Sequence, residues 1–119
     1  MTDKNPKDHS VRPERVGSLI QALLGPIIRE YTLETNSLAT VSKVDVTPDM
    51  RVAKVWLSIF GGKDEVVLAE LKSNIYHIQG EINRELAMKV IPRLEFHLDT
   101  SPRQAQHLSE LMDKIHKDS

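Results

Sequence analysis

The sequence predicts an α+β domain in which helices pack on one face of a small, three-stranded mixed sheet. The segment 41–60 contains two runs rich in Val, Ile and Trp around the turn Thr47-Pro48-Asp49-Met50, which is typical of a hairpin. Residues 93–98 alternate strictly between polar and apolar side chains and predict a third strand. The order helix, strand, strand, helix, helix, strand, helix is typical of an α+β layer. If the second and third strands are neighbours, the helical crossover between them makes that pair parallel.

The first helix is predicted to begin at Arg12, because Pro13 suits a first turn, where its missing N–H is no loss. Its apolar stripe keeps its phase across Gly25-Pro26. A proline inside a helix costs about 3 kcal/mol or more and usually kinks it. The pattern therefore predicts a kinked helix or two short helices in line.

The hairpin has two faces of different character. The first strand is expected at about residues 38–46, and the second ends near Phe60. Alternation puts Ala53, Val55, Leu57 and Ile59 on the core face and Lys54, Trp56 and Ser58 on the other. Trp56 could stack on a nucleic-acid base. Packing under the C-terminal helix or beside the hairpin partner is the favoured interpretation, because large aromatic side chains are usually buried.

A second apolar stripe follows the loop at residues 61–64, and Gly80 lies in the middle of it. An interior glycine costs roughly 1 kcal/mol relative to alanine. Two interpretations of Gly80 are open. The glycine could be tolerated inside one helix where two backbones pack closely, or it could separate two helices and expose backbone to a partner. The break is the favoured interpretation. Pro92 is expected to end the second helix. Ser101 before Pro102 is a good start for a last helix.

Length and composition indicate a single domain. The chain has 119 residues, 39% of them apolar and 28% charged, which is ordinary for a globular protein. Residues 1–11 are expected to be a disordered lead-in, 12–115 the domain and 116–119 a tail. No apolar run approaches the roughly 20 residues that span a bilayer, and no signal-peptide core is present, so a cytoplasmic protein without a membrane partner is expected.

Nothing in the sequence predicts a reaction centre. The absence of cysteine excludes disulfides, thiolate metal sites and a catalytic thiol. The histidines have no tight ligand spacing, so no metal site is predicted. No Gly-x-Ser-x-Gly elbow or Walker loop occurs. We therefore predict no catalytic residues and no cofactor.

The net charge of −1 limits how the chain could bind nucleic acid. A domain that binds RNA mainly through phosphates should carry a basic surplus, whereas cations and anions are interleaved here. Any nucleic-acid binding must therefore use a local basic patch.

The order of elements resembles the type II KH arrangement. KH domains usually clamp single-stranded nucleic acid with a Gly-x-x-Gly loop between two helices. That loop is missing here, and Ile78-Gln79-Gly80 stands in its place. The fold is therefore expected to be KH-related, with a glycine kink between its second and third helices.

Several motifs resemble the bacterial ribosome-binding factor A family, in which an Ala-x-Gly kink replaces the KH loop. Gly80 matches the glycine of that kink. The other matching segments are the opening at 12–16, the hairpin at 44–50 and 53–58, and the stretches 82–86 and 91–99 after the kink. The likeness covers roughly residues 12–115.

The resemblance implies a non-enzymatic assembly factor. Members of this family bind the free 30S small ribosomal subunit and its 16S rRNA, assist late 30S maturation and 16S rRNA 5′-end processing, and matter most in the cold. An assembly GTPase helps to release them, so such a GTPase is a possible partner. The chain itself is expected to be a monomer.

The candidate RNA-binding residues are the glycine of the predicted kink and cations on the predicted helices and at the start of the predicted third strand. They are Arg12, Arg15, Lys72, Gly80, Arg84, Lys89 and Arg93. Arginine and lysine suit phosphate oxygens, and the group around Gly80 flanks the place where this fold would present a nucleic acid. The alternative for any single cation is an ordinary surface charge paired with Glu81, Glu85 or Glu95.

A function of a different class stays open. The chain could be a small protein-interaction or dimerisation module whose neutral charge and Trp56 serve a protein partner. Binding that falls steeply with added salt would favour RNA, and a salt-insensitive contact would favour the module.

Overall fold

The computed structural model describes residues 12–61 and 63–100, together with Glu110 and Asp113. The described elements are α1 (Pro13–Thr32), a 3₁₀ turn (Leu33–Thr35), β1 (Leu38–Val46), β2 (Val52–Phe60), α2 (Asp64–Ser73), α3 (Ile75–Glu85) and β3 (Arg93–Leu98). The predicted lead-in, the start of the last helix at Ser101 and the tail lie outside the described residues.

The three strands form one mixed sheet in the order β1-β2-β3. β1 and β2 pair antiparallel, and β2 and β3 pair parallel with α2 and α3 as the crossover. The residues predicted for the core face of β2 are all buried, in one cluster with the inward side chains of the three helices. The predicted α+β fold is confirmed, and so are the strand boundaries.

The helix α1 is continuous over 20 residues and passes through Pro26 without ending. Its buried stripe is Val16, Ile20, Leu24 and Ile28. Near its start, α1 lies very close to β1, because a Cβ built on Gly17 would lie 2.7 Å from the carbonyl oxygen of Val44. The missing side chain at Gly17 is therefore what allows this helix to pack against the edge strand.

The break between the second and third helices lies at Asn74, so the prediction of a break at Gly80 is wrong. The Asn74 backbone N–H donates to the Leu71 carbonyl over 3.1 Å, and its Nδ2 donates to the Glu70 carbonyl over 2.8 Å. These bonds close α2, since an asparagine side chain competes for backbone groups. The Asn74 carbonyl then accepts from Ile78 and begins α3.

Gly80 lies inside α3, and close backbone packing does not explain it either. Apart from the chain neighbours of Gly80 and the backbone of α3, the one described atom within 4 Å of a Cβ built there is Nη1 of the Arg84 side chain, at 3.7 Å. The expectation that Pro92 ends this helix is also wrong. The helix ends at Glu85, and Leu86 has extended backbone angles and a buried side chain.

The hairpin turn is closed by Thr47 and Asp49. The Thr47 hydroxyl donates to Oδ1 of Asp49 over 2.7 Å, and the same oxygen accepts the Arg51 N–H at 3.1 Å. These two hydrogen bonds lower the pKa of the Asp49 carboxyl below its ordinary value, and the bond from the Thr47 hydroxyl has the larger effect.

We expect Asp49→Asn to be less stable than the wild-type protein at pH 7, with a difference that shrinks in acid. Because the pKa of Asp49 is lowered on folding, the carboxylate stabilises the fold above its unfolded pKa of about 3.9. That contribution is lost as the pH falls through the folded pKa. Urea unfolding at pH 7 and at about pH 2.5 measures it, with Asp45→Asn as the control. A difference that does not depend on pH would contradict the assignment.

We expect Gly80→Ala to stabilise the protein by about 0.5–1 kcal/mol, because alanine favours a helix and its Cβ meets no backbone. Gly17→Ala is the matched control and should destabilise by about 1–3 kcal/mol, because its Cβ would overlap the Val44 carbonyl. Thermal unfolding of both variants measures the effects. Destabilisation by Gly80→Ala would restore a structural role for the glycine.

Candidate functional site

The exposed side of α3 and the segment after it carry two adjoining depressions. The first, of about 410 Å³, is here called the tyrosine depression, and it includes Tyr31, Tyr76, Gly80 and Arg84. The second, of about 510 Å³, is called the lysine depression, and it includes Met88, Lys89, Ile91 and Arg93. Gln79 and Asn83 line both.

Gln79 attaches α3 to the beginning of β3. Its Nε2 donates to the Pro92 carbonyl and to Oδ1 of Asn83, each over 3.1 Å. Its Oε1 accepts the Leu94 N–H at 2.9 Å. One side chain therefore fixes where the chain rejoins the sheet and also orients the amide of Asn83.

The role of Gln79 could not be predicted from its sequence pattern. The available signal was a polar residue between Ile78 and Ile82, which are both fully buried. A half-buried amide in that position has to satisfy its hydrogen bonds within the protein. Its partners, 13 and 15 residues further along, could not be read from the sequence.

The structure brings four of the seven candidate residues together at the two depressions. Gly80 and Arg84 lie in the tyrosine depression, and Lys89 and Arg93 lie in the lysine depression. Arg84 and Lys89 are exposed, and no carboxylate of the described residues lies within 4.0 Å of either. Their charges are therefore available to an anionic partner.

The alternative of cations paired with neighbouring glutamates holds only for Arg93 in the described part of the chain. Its Nη2 lies 3.5 Å from the Glu95 carboxylate, which also contacts Nε2 of His97 at 3.2 Å. The Arg93 side chain is still 68% exposed. A surface ion pair of this kind contributes about 0–1 kcal/mol and leaves a phosphate able to compete for the arginine.

The other three candidates line neither depression. Arg12 and Arg15 are exposed at the start of α1. At about 1.5 Å per residue along the helix, Arg15 is some 24 Å from Tyr31, the α1 residue in the tyrosine depression. Lys72 is exposed in the last turn of α2, before the break at Asn74. The structure therefore does not unite all seven residues in one patch.

Trp56 packs on the face of the sheet opposite the helices. Its ring stacks on His97 of β3, with centroids 4.9 Å apart and planes at 29°. The ammonium of Lys43, its hairpin partner, lies 5.6 Å from the ring centroid. The side chain is half-buried, and its Nε1 is buried without a hydrogen-bond partner among the described residues. These contacts agree with the packing interpretation of Trp56.

Metal-ligand clusters and membrane-spanning helices are both absent from the described residues. In the described ranges, no three His, Asp or Glu side chains come together in a way that could hold a metal ion. None of the helices α1 to α3 is long and apolar enough to cross a membrane.

The mixed sheet and the order of the elements define a KH-like α+β domain, in which a one-residue break at Asn74 separates the two crossover helices. The sequence profile of ribosome-binding factor A matches residues 12–112. The chain therefore belongs to the ribosome-binding factor A family.

Curated relatives in this family resemble almost the whole chain. Ribosome-binding factor A of Zymomonas mobilis is 30% identical over 119 aligned residues, which cover 96% of this chain and 84% of that protein. Ribosome-binding factor A of Maricaulis maris is 36% identical over 118 residues, which cover 95% of this chain and 82% of that protein.

Solved structures share the fold. The crystal structure of ribosome-binding factor A from Thermus thermophilus superimposes with a TM-score of 0.66 at 22% identity, covering 74% of this chain and 97% of that one. A homology model of the Thermus thermophilus factor, fitted into the cryo-EM map of a 30S–RbfA complex, gives a TM-score of 0.52 at 26% identity. That match covers 66% of this chain and 90% of that one.

We expect Gln79→Ala to destabilise the protein by about 1–3 kcal/mol, because it leaves the partly buried Leu94 N–H and Pro92 carbonyl without their partner. Urea unfolding measures the loss. Gln21→Ala is the control, since the Gln21 side chain makes one hydrogen bond within the described part of the chain, to the Val41 carbonyl at 3.2 Å. Equal effects of the two substitutions would contradict the role of Gln79 as the attachment of α3 to β3.

Proposed function

We propose that this chain binds the free 30S small ribosomal subunit and contacts its 16S rRNA through the two depressions on α3. Membership of the ribosome-binding factor A family supports the proposal. A homology model of the Thermus thermophilus factor was fitted into the cryo-EM map of a 30S–RbfA complex, and its likeness in fold to this chain supports the proposal as well.

The observation that carries the proposal is a pair of exposed cations beside the depressions, Arg84 and Lys89, which have no carboxylate partner among the described residues. The linings of the two depressions contain three cations, Arg84, Lys89 and Arg93, and one carboxylate, Glu81, which is a local charge of +2 on a chain whose net charge is −1. A local patch of this kind can neutralise phosphates although the whole chain is not basic. The exposed Arg12, Arg15 and Lys72 would add contacts only where the RNA extends beyond the depressions.

The cellular role in this proposal is that of a non-enzymatic factor in late 30S maturation. It includes assistance to 5′-end processing of 16S rRNA, importance for growth in the cold and release by an assembly GTPase. The protein would act as a cytoplasmic monomer. The likeness in sequence to its family supports each of these points, and the site would contribute binding and no chemistry.

A protein-interaction module is the second candidate, and a groove between α1 and β1 favours it. The groove has a volume of about 720 Å³ and includes Gly25, Pro26, Leu33 and Val41. Leu33 is 73% exposed and adds apolar surface to the groove. A partner bound there would be held by buried apolar area, with little dependence on salt.

Sedimentation of the purified protein with free 30S subunits separates the two candidates. We expect the wild-type protein to migrate with 30S subunits at low salt and to leave them as salt rises. The double variant Arg84→Ala, Lys89→Ala should remain near the top of the gradient. Two exposed cations outside the depressions provide the charge-matched control Arg29→Ala, Lys63→Ala, which should migrate like the wild type.

The salt dependence gives a quantitative form of the same test. Each lost phosphate contact should reduce the slope of log K against log salt by about 1, so the double variant should lose about 2. Two results would favour a protein contact and reject the depressions as the RNA site. One is an affinity for 30S subunits that does not change with salt concentration, and the other is an equal loss of affinity in both double variants.

A further inference from the structure

We propose that the tyrosine depression holds one unpaired nucleotide of the RNA, with its base stacked on the ring of Tyr76. This inference rests on the proposed function, because it takes RNA as the partner. It assigns base contact to Tyr76 and Gly80, whereas the cations described above would contact phosphates.

Tyr76 is an aromatic ring that the fold leaves in solvent. It is 83% exposed, more than any other large hydrophobic side chain among the described residues. Its contact is with His77, whose ring centroid lies 5.8 Å away at an interplanar angle of 79°. An edge-on neighbour of this kind orients the tyrosine and leaves ring surface open. Aromatic rings presented in this way are the usual platforms for unstacked bases.

Gly80 keeps the space next to that ring open. Tyr76, Gly80 and Arg84 are spaced by four residues and therefore lie along one line of the helix surface. Helical side chains lean toward the helix N-terminus, so a side chain at position 80 would lie over the turn that separates it from Tyr76. Since no packing contact with the described residues requires a glycine here, we assign to Gly80 the role of keeping this notch open.

The groups around the notch match the parts of a nucleotide. The guanidinium of Arg84 leans back over Gly80, with Nη1 3.7 Å from the position of a Cβ there, and can bond a phosphate or cover a base. Oδ1 of Asn83 is engaged by Gln79, which leaves its amide hydrogens for an acceptor on a base edge. Tyr31 of α1 and Glu81, whose carboxylate can accept a hydrogen bond from a base amino group, also line the depression.

The size and the open shape favour an unpaired base. A volume of about 410 Å³ is within the range of roughly 300–1,000 Å³ that is typical of small-ligand sites. A base inside a double helix is stacked on both faces and cannot reach Tyr76, whereas a base in a loop or bulge can be turned outward.

The test measures the affinity of purified free 30S subunits for Tyr76→Ala and Tyr76→Phe over a range of salt concentrations. Loss of stacking should weaken Tyr76→Ala roughly 5- to 150-fold. The slope of log K against log salt should stay at the wild-type value, because no phosphate contact is lost. Tyr76→Phe keeps the ring and should bind like the wild type. Val66→Ala removes another exposed apolar side chain, from outside both depressions and the groove between α1 and β1, and should have no effect.

The variant Gly80→Leu is a second test of the nucleotide site, and it leaves Tyr76 unchanged. Leucine is a good helix former, so the melting temperature should not fall, while its side chain fills the notch and should weaken binding to the same extent as Tyr76→Ala. Chemical probing of 16S rRNA in these complexes should show one unpaired nucleotide that is protected by the wild type and by Tyr76→Phe. The same nucleotide should become reactive with Tyr76→Ala and with Gly80→Leu.

The outcomes separate this inference from the proposed function. If the wild type does not bind 30S subunits, the proposed function fails. If it binds, and Arg84→Ala, Lys89→Ala weakens it while Tyr76→Ala does not, only the nucleotide site is overturned. If Tyr76→Ala weakens binding and no nucleotide changes its reactivity, Tyr76 contacts a ribosomal protein, which also overturns the nucleotide site.

Discussion

The candidate site depends on the hydrogen bonds from the Gln79 side chain to the first residues of β3. Parallel pairing of β2 and β3 requires a crossover connection, which here contains α2 and α3 and returns the chain to the sheet at a defined position. Gln79 defines that return, because it bonds the Pro92 carbonyl and the Leu94 N–H at once. The irregular residues 86–92 are thereby held beside α3. Lys89 and Arg93 reach the same surface as Arg84 for this reason.

The strands could be predicted from sequence because their signal is local. Alternation with a period of two residues, with Pro48 and Asp49 in the turn, located β1, β2 and β3 correctly. The helix break was misplaced because the general helix propensity of glycine was given more weight than the capping ability of Asn74. In the structure, two hydrogen bonds from Asn74 close α2, while Gly80 fits into α3 at only a modest cost.

The candidate site could be predicted only in part. Charge and position identified Arg84, Lys89 and Arg93, which lie together. Arg12 and Arg15 were grouped with them by charge alone, although the length of α1 separates them from Tyr31. The contributions of Gln79 and Tyr76 depend on which residues of other elements lie nearby. No spacing in the sequence could have shown that Tyr31 and Tyr76 line one depression.

The contacts of Trp56 have a practical consequence for experiments. It is the single tryptophan of the chain, and it lies on the face of the sheet opposite the helices, between Lys43 and His97. Its indole emission therefore reports on the integrity of all three strands through residues that take no part in the α3 surface. Tryptophan fluorescence can therefore follow the unfolding of any variant of that surface without an attached label. The emission of the folded protein should be the same in each variant, because the substituted residues do not contact Trp56.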